Sequence, residues 1–191
     1  YEKTSAIVFG PGISVQEQSR VLLRKVLASS KVPIVIDADG LNLVAADAID
    51  LRKIDLPLIL TPHPGEMSRL TKLPVAEVQE NRIDIARRFA KETGVTLVLK
   101  GARTIIADRD ENIYINRTGN PGMATAGMGD ALAGIICGLL AQGMNPLETA
   151  VSGAYLHGLA GDLAVEKRGP VGITTTDLLQ EYPAAVKKVL T

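Results

Sequence analysis

Tryptophan is absent from this sequence, and aromatic residues make up only 3% of it. That scarcity argues against a single-stranded nucleic-acid binder, whose stacking platforms are built from aromatic rings. Charge of one sign is not in excess either: Lys plus Arg and Asp plus Glu both count 21, for a formal net charge of +0. A basic footprint for nucleic acid and a charged tail are therefore both missing. The longest apolar run, Ala131 to Ala141, is broken by glycines and falls far short of the roughly 20 residues that a spanning helix needs. No membrane partner is expected. Cysteine occurs once, at Cys137. No disulfide can close within the chain, which fits a reducing, cytoplasmic setting, and a lone thiol in an apolar helix is read as a small hydrophobe.

What remains is 191 residues with 46% hydrophobic content, enough to bury one real core. Short apolar runs at Ala6–Phe9, Pro33–Asp37, Leu56–Leu60 and Thr96–Lys100 predict buried strands. Between them, one-sided patterns predict helices. The first spans Val15–Ala28, with Val21, Leu22, Val26 and Leu27 on its apolar face and Ser14 as a cap. A short one follows at Leu41–Ala48, and a long one runs from Glu77 to Glu92 and stops at Gly94. Thr104–Ala107 and Asn112–Asn116 read as a hairpin, and two further helices are expected over Pro146–Leu163 and Thr175–Val189. Alternating strands and helices point to an α/β fold with a mostly parallel sheet and helices on both faces.

The polar and glycine-rich segments follow the strands, at Gly10, Asp37–Asn42, Thr61–Glu66 and Lys100–Thr104. In open α/β sheets ligands bind beyond the carboxyl ends of the strands, so these segments should meet at one crevice. The densest of the polar stretches runs from Arg117 to Asp130, where four glycines and a proline between Gly119 and Gly129 precede an abrupt apolar helix. Unpaired N–H groups and the positive end of the helix dipole make such a start an anion site. Asp130 has two readings there: a base that takes a proton from an attacking hydroxyl, or a carboxylate placed for the dipole alone. Asp37 is read as the cap of the next helix, while Asp39 and Asn42 stay open between cap and ligand. Pro62 and Pro64 are expected to hold the loop around His63 extended and free of helix. Lys100-Gly-Ala-Arg-Thr104 is either a grip on phosphates or a charged surface turn. His157, in an apolar helical stretch, reads as a core residue.

Gly119-Asn-Pro-Gly-Met-Ala-Thr-Ala-Gly-Met-Gly-Asp130 resembles the signature of the ADP/ATP-dependent NAD(P)H-hydrate dehydratases, a branch of the ribokinase superfamily. Gly10-Pro-Gly12, Asp37-Ala-Asp-Gly-Leu-Asn42 and Thr61-Pro-His-Pro-Gly-Glu66 match the same family in the same order. The resemblance implies a ribokinase-like three-layer sandwich over a single domain, 1–191. It implies that the chain lacks an N-terminal part, since family members carry strands before the Gly-Pro-Gly element and this chain opens at Tyr1 without an initiator methionine.

By that resemblance Asp130 is catalytic, and Gly12, His63 and Asp130 hold the hydrated NADH or NADPH (NADHX, NADPHX). Lys100, Gly101, Ala102, Arg103, Thr104, Asn120, Gly122, Met123, Ala124, Gly127, Met128 and Gly129 hold ADP or ATP, with Mg²⁺ as cofactor and Glu66 a candidate to hold it through water. The reaction implied is dehydration of the S-epimer of the hydrate, with an epimerase acting on the same hydrate. A kinase of a small alcohol and a non-catalytic nucleotide-binding module are the alternatives. A nearly neutral, apolar domain with an unpaired sheet edge is also expected to self-associate as a homo-oligomer.

Overall fold

The computed structural model describes residues 4–191; Tyr1 to Lys3, inside the expected 1–191 domain, lie outside the described residues. Four short strands, β1 (Ile7–Phe9), β2 (Ile34–Ile36), β3 (Leu58–Leu60) and β4 (Thr96–Leu99), run parallel in the order of the chain. A hairpin, β5 (Ile105–Ala107) and β6 (Ile113–Ile115), adds antiparallel pairings and completes six strands in the order β1 to β6.

Strand side chains alternate between two faces, and each face has its own core. Ile34, Ile36, Leu58, Leu60, Leu97, Leu99 and Ile105 face α1 (Glu17–Ser29), α2 (Ala38–Ala46), α3 (Pro64–Thr71), α4 (Val75–Glu80) and α5 (Arg82–Thr93). Val35, Ile59, Val98 and Ile106 face Leu132, Ala133 and Ile136 of α6 (Met128–Leu140) and Ala150 and Ala154 of α7 (Pro146–Arg168). A third cluster joins α6 and α7 to α8 (Thr175–Leu190). Helices cover both faces of a mostly parallel sheet, the three-layer ribokinase-like arrangement. Among the described residues no helix is long and apolar enough to cross a membrane.

Several expectations are corrected. Ser14 does not cap α1: Gln16 holds the N-cap position, and the Ser14 N–H donates instead to Asp39 at 2.9 Å. Leu23 is buried where Val21 and Leu22 were expected, and those two are exposed, because Ser19, Leu23, Val26 and Leu27 stand at i, i+4, i+7 and i+8 and share the inward face. The Glu77–Glu92 helix is two helices, broken at Asn81 by a non-helical ψ of 35°. The prolines around His63 do not exclude helix. Pro64 is the first residue of α3, where a missing N–H costs nothing, and its fixed φ suits the turn. The helix expected at Leu41 begins already at Ala38, and α7 continues to Arg168. Cys137 is half-buried, and burial raises its thiol pKa.

Candidate active site

The four parallel strands end along one edge, and the expected polar segments do meet there. Two glycines make the close packing possible: a Cβ at Gly10 would lie 1.7 Å from the Asp37 carbonyl oxygen, and one at Gly40 2.8 Å from the Phe9 carbonyl oxygen. Asp37 therefore follows β2 directly into the interior and is 1% exposed. Its carboxylate does not cap α2, contrary to the reading from sequence. One oxygen accepts from the Lys100 ammonium at 2.6 Å; the other, Oδ2, is buried and has no partner. Glu66, buried on α3, places its Oε2 3.8 Å from the same ammonium. Two carboxylates thus share one lysine in a partly dry setting, where charge is felt strongly. Asp39 and Asn42 are tied into the structure, Asn42 donating to Asp39 at 3.4 Å and accepting from Arg69 at 3.1 Å.

Above this cluster begins α6. Gly127, at φ 84°, turns the chain into the helix, and a Cβ there would come within 2.9 Å of the Thr175 hydroxyl. Gly129 lies over the Asp37–Lys100 pair, its Cβ position 3.4 Å from the Lys100 Nζ and 3.8 Å from the orphaned Asp37 Oδ2. The first bond of the helix is Ala131 N–H to the Gly127 carbonyl. The N–H groups of Met128, Gly129 and Asp130 therefore precede any intrahelical partner, as at every helix start. Asp130 is exposed in this first turn. A groove of about 680 Å³ leads away from Gly127 and Asp130 along α6, bounded on the far side by Thr175, Leu179 and Tyr182.

The Lys100–Thr104 loop carries two left-handed residues, Gly101 at φ 143° and Arg103 at φ 57°. Arg82, which the sequence reading missed, braces it from behind. Its guanidinium donates to the carbonyls of Ala102 at 2.7 Å, Leu99 at 3.1 Å and Lys100 at 3.3 Å, and occupies the space where a side chain on Gly101 would stand. Desolvation lowers the Arg82 pKa. Arg103 projects from the loop exposed.

The Asn120–Ala124 segment is fixed to α7 rather than to the Lys100 loop. Asp162, also missed, accepts from the Gly119 N–H at 2.9 Å and from the Asn120 amide at 2.8 Å, while Asn120 Oδ1 accepts from the Gly122 N–H at 3.0 Å. Gly158 and Gly161 let this loop lie directly on the helix, since a Cβ at either would strike Thr118 or Met123 at 2.2 and 2.3 Å. A helical run of small residues was the only sign of this contact in the sequence.

Gly12 sits in the turn after β1 at φ 70°, exposed, with open space around it. His63 caps α3: its Nδ1 accepts from the N–H groups of Gly65 at 2.9 Å and Glu66 at 3.4 Å, and Glu66 accepts back from the His63 N–H at 2.8 Å. Its Nε2 lies 3.3 Å from Glu66 Oε1, leaving half of the side chain in solvent. His157 is buried behind α6, its Nε2 without a partner, and burial takes its pKa down to about 4.

A family model described as NAD(P)H-hydrate dehydratase matches residues 1–184. A bifunctional NAD(P)H-hydrate repair enzyme of Moorella thermoacetica is 47% identical over 187 residues, covering 98% of this chain and 35% of the relative. An ADP-dependent (S)-NAD(P)H-hydrate dehydratase of Neisseria meningitidis is 48% identical over 139 residues, covering 72% of this chain and 47% of the relative. The chain thus spans about a third of the Moorella relative's length and about half of the Neisseria one's. Among solved structures, the ADP/ATP-dependent NAD(P)H-hydrate dehydratase of Bacillus subtilis, co-crystallised with ATP/Mg²⁺, superposes with a TM-score of 0.87 at 33% identity, covering 98% of this chain and 68% of that one. Ribokinase of Thermotoga maritima, at 17% identity and TM-score 0.58, covers 96% of this chain and 57% of its own and shares the fold alone. The family model, the relatives' identity and the structural superposition agree, and the chain belongs to the NAD(P)H-hydrate dehydratase family.

Proposed function

We propose that this chain carries the site for ADP-dependent dehydration of the S-epimer of NADHX and NADPHX, a repair of damaged cofactor in the cytoplasm. The observation that carries it is the exposed carboxylate of Asp130 in the first turn of α6, following the unpaired N–H groups at Met128 and Gly129, the second of which lies over Lys100. A carboxylate repels a resting phosphate, so its place there suits proton abstraction better than anion binding.

The hydrate carries a hydroxyl on its reduced ring, and hydroxide leaves poorly. Asp130 takes the hydroxyl proton as the oxygen attacks the terminal phosphorus of ADP. AMP departs, the C–O bond of the new ester breaks to release phosphate, and loss of a proton from the neighbouring ring carbon to solvent restores the ring double bond. The N–H groups of Gly127 to Gly129 hold the transferring phosphoryl, an arrangement commonly worth about 10²–10³ in rate per donor. Lys100 adds a cation below it. The groove along α6 takes the rest of the nucleotide, and the turn at Gly12 with His63 takes the hydrate.

Mg²⁺ fits the same cluster. Asp37 Oδ2 is a buried oxygen without a partner, Glu66 is a buried neighbour, and magnesium is usually held by one or two carboxylates with water and phosphate. When bound it would neutralise charge on the nucleotide phosphates. The single 1–191 domain, the homo-oligomer and the epimerase acting on the same hydrate belong to this proposal too.

Incubation with ADP and NADHX tests it. Recovery of reduced-nicotinamide absorbance with equal release of AMP and phosphate is expected. A stable phosphorylated product would mean a kinase, and ADP binding without turnover a non-catalytic module.

A further inference from the structure

We propose that Arg82 is the positioning residue of the nucleotide loop: from behind, its guanidinium draws the carbonyls of Leu99, Lys100 and Ala102 inward, which aims the N–H groups of Gly101 and Arg103 at the phosphates of a nucleoside diphosphate. This rests on the nucleotide reading given above and adds the reason that the Lys100–Thr104 loop can hold an anion. Arg82 itself does not reach the nucleotide.

Arg82 opens α5, and its half-buried side chain runs back under the turn that follows β4. Nη1 donates to the Ala102 carbonyl, and Nη2 donates to those of Leu99 and Lys100. A charged donor makes such bonds roughly twice as strong as neutral ones. Nε is buried without an acceptor, so the loop carbonyls are what the fork meets. Gly101 completes the fit. A Cβ there would stand 3.0 Å from Nη2, and its φ of 143° is one that side chains rarely adopt.

The peptides of this turn are trans, so in each the N–H points away from its C=O. The Lys100 carbonyl, turned to Arg82, sends the Gly101 N–H the other way, and the Ala102 carbonyl does the same for the Arg103 N–H. Neither N–H meets a protein acceptor among the described residues, and Gly101 and Arg103 are both exposed. Their left-handed φ values, 143° and 57°, belong to the kind of turn that gathers N–H groups into an anion-binding concavity. The Lys100 N–H differs: it donates to the Pro62 carbonyl at 2.8 Å and ties the loop to the His63 segment. With its carbonyls bound, the loop offers an anion donors alone. Released from the guanidinium, the same peptides are free to rotate and present carbonyl oxygens, which repel phosphate.

Calorimetry of the full chain with ADP alone tests this, with circular dichroism confirming the fold of each variant. Arg82→Met keeps the aliphatic stem and removes the fork, and the Kd for ADP is expected to rise about 10–100-fold. Arg82→Lys keeps the charge without the fork and should raise it less, by about threefold to tenfold; it carries the test if Arg82→Met does not fold. Added guanidinium ion should restore ADP binding to Arg82→Ala, and sodium chloride at the same concentration should not. In NADHX turnover the KM for ADP should rise with the KM for NADHX unchanged, a split that general loosening of the fold does not produce. Unchanged ADP affinity in the variants, or both KM values rising together, would overturn the proposal. A wild type that binds ADP without dehydrating NADHX would remove the reaction proposed above and leave the calorimetric test of Arg82 standing, whereas one that binds no ADP would overturn both.

Discussion

The Lys100 ammonium lies 2.6 Å from one oxygen of Asp37, and the other oxygen of that carboxylate is buried without a partner. An orphaned, desolvated acceptor is costly unless something arrives to meet it. A magnesium-bound water or the ion itself would do so. Asp37→Asn is expected to raise the magnesium concentration for half-maximal rate by roughly 10–100-fold, with a smaller loss at saturating metal. An unchanged magnesium titration would remove Asp37 from the metal site.

Asp130→Asn keeps the shape and polarity of the first turn of α6 and removes its base. Dehydration should fall by at least about 10²-fold while ADP still binds by calorimetry. Near-normal turnover in that variant would exclude proton abstraction by this residue.

His63 has a structural duty that the sequence hid. Removal of its imidazole in His63→Ala strips the cap of α3 and should cost about 1 kcal/mol in urea unfolding. His63→Asn, which can still cap, should recover that stability. If the hydrate also needs the imidazole, His63→Asn will keep a raised KM for NADHX with the KM for ADP unchanged. Recovery of both by asparagine would reduce His63 to its cap.

His157 gives the fold a pH dependence. Its pKa is about 4 in the native state against 6.5 ordinarily, because burial disfavours the charged form. The unfolded chain therefore binds the extra proton first, and stability is lost as pH falls from about 6.5 to about 4, by on the order of 3 kcal/mol in all. Above that window the contribution is flat. Urea midpoints of His157→Gln should fall less between pH 7 and pH 4.5 than those of wild type; parallel losses would contradict the assignment.

How much of this was visible in the chain follows from how local each determinant is. The strands and the two-faced core were legible because runs such as Ile34-Val-Ile36 and Leu58-Ile-Leu60 are unbroken and end at Asp37 and at Thr61-Pro62. The start of α6 was legible for the same reason, since glycines and apolar residues change over within a few positions. The partners were not. Lys100 and Asp37 stand 63 residues apart, and Asp162 reaches a loop 42 residues before it, so no periodicity links them. Asp37 looked like a cap because every acid after a strand does. The prolines flanking His63 signalled extension, yet the second of them occupies the one helical position that suits it.

The order of the strands has a consequence for synthesis. Each of β2 to β4 docks beside the strand made just before it, so the sheet can grow as the chain emerges, with α1 to α5 covering one side on the way. Among the described residues, the opposite side, Val35, Ile59, Val98 and Ile106, takes its cover from α6 and α7, which leave the ribosome later. That face of the sheet therefore gains α6 and α7 only after its strands are made, and a translational pause between Asn116 and Gly127 would delay this half of the core.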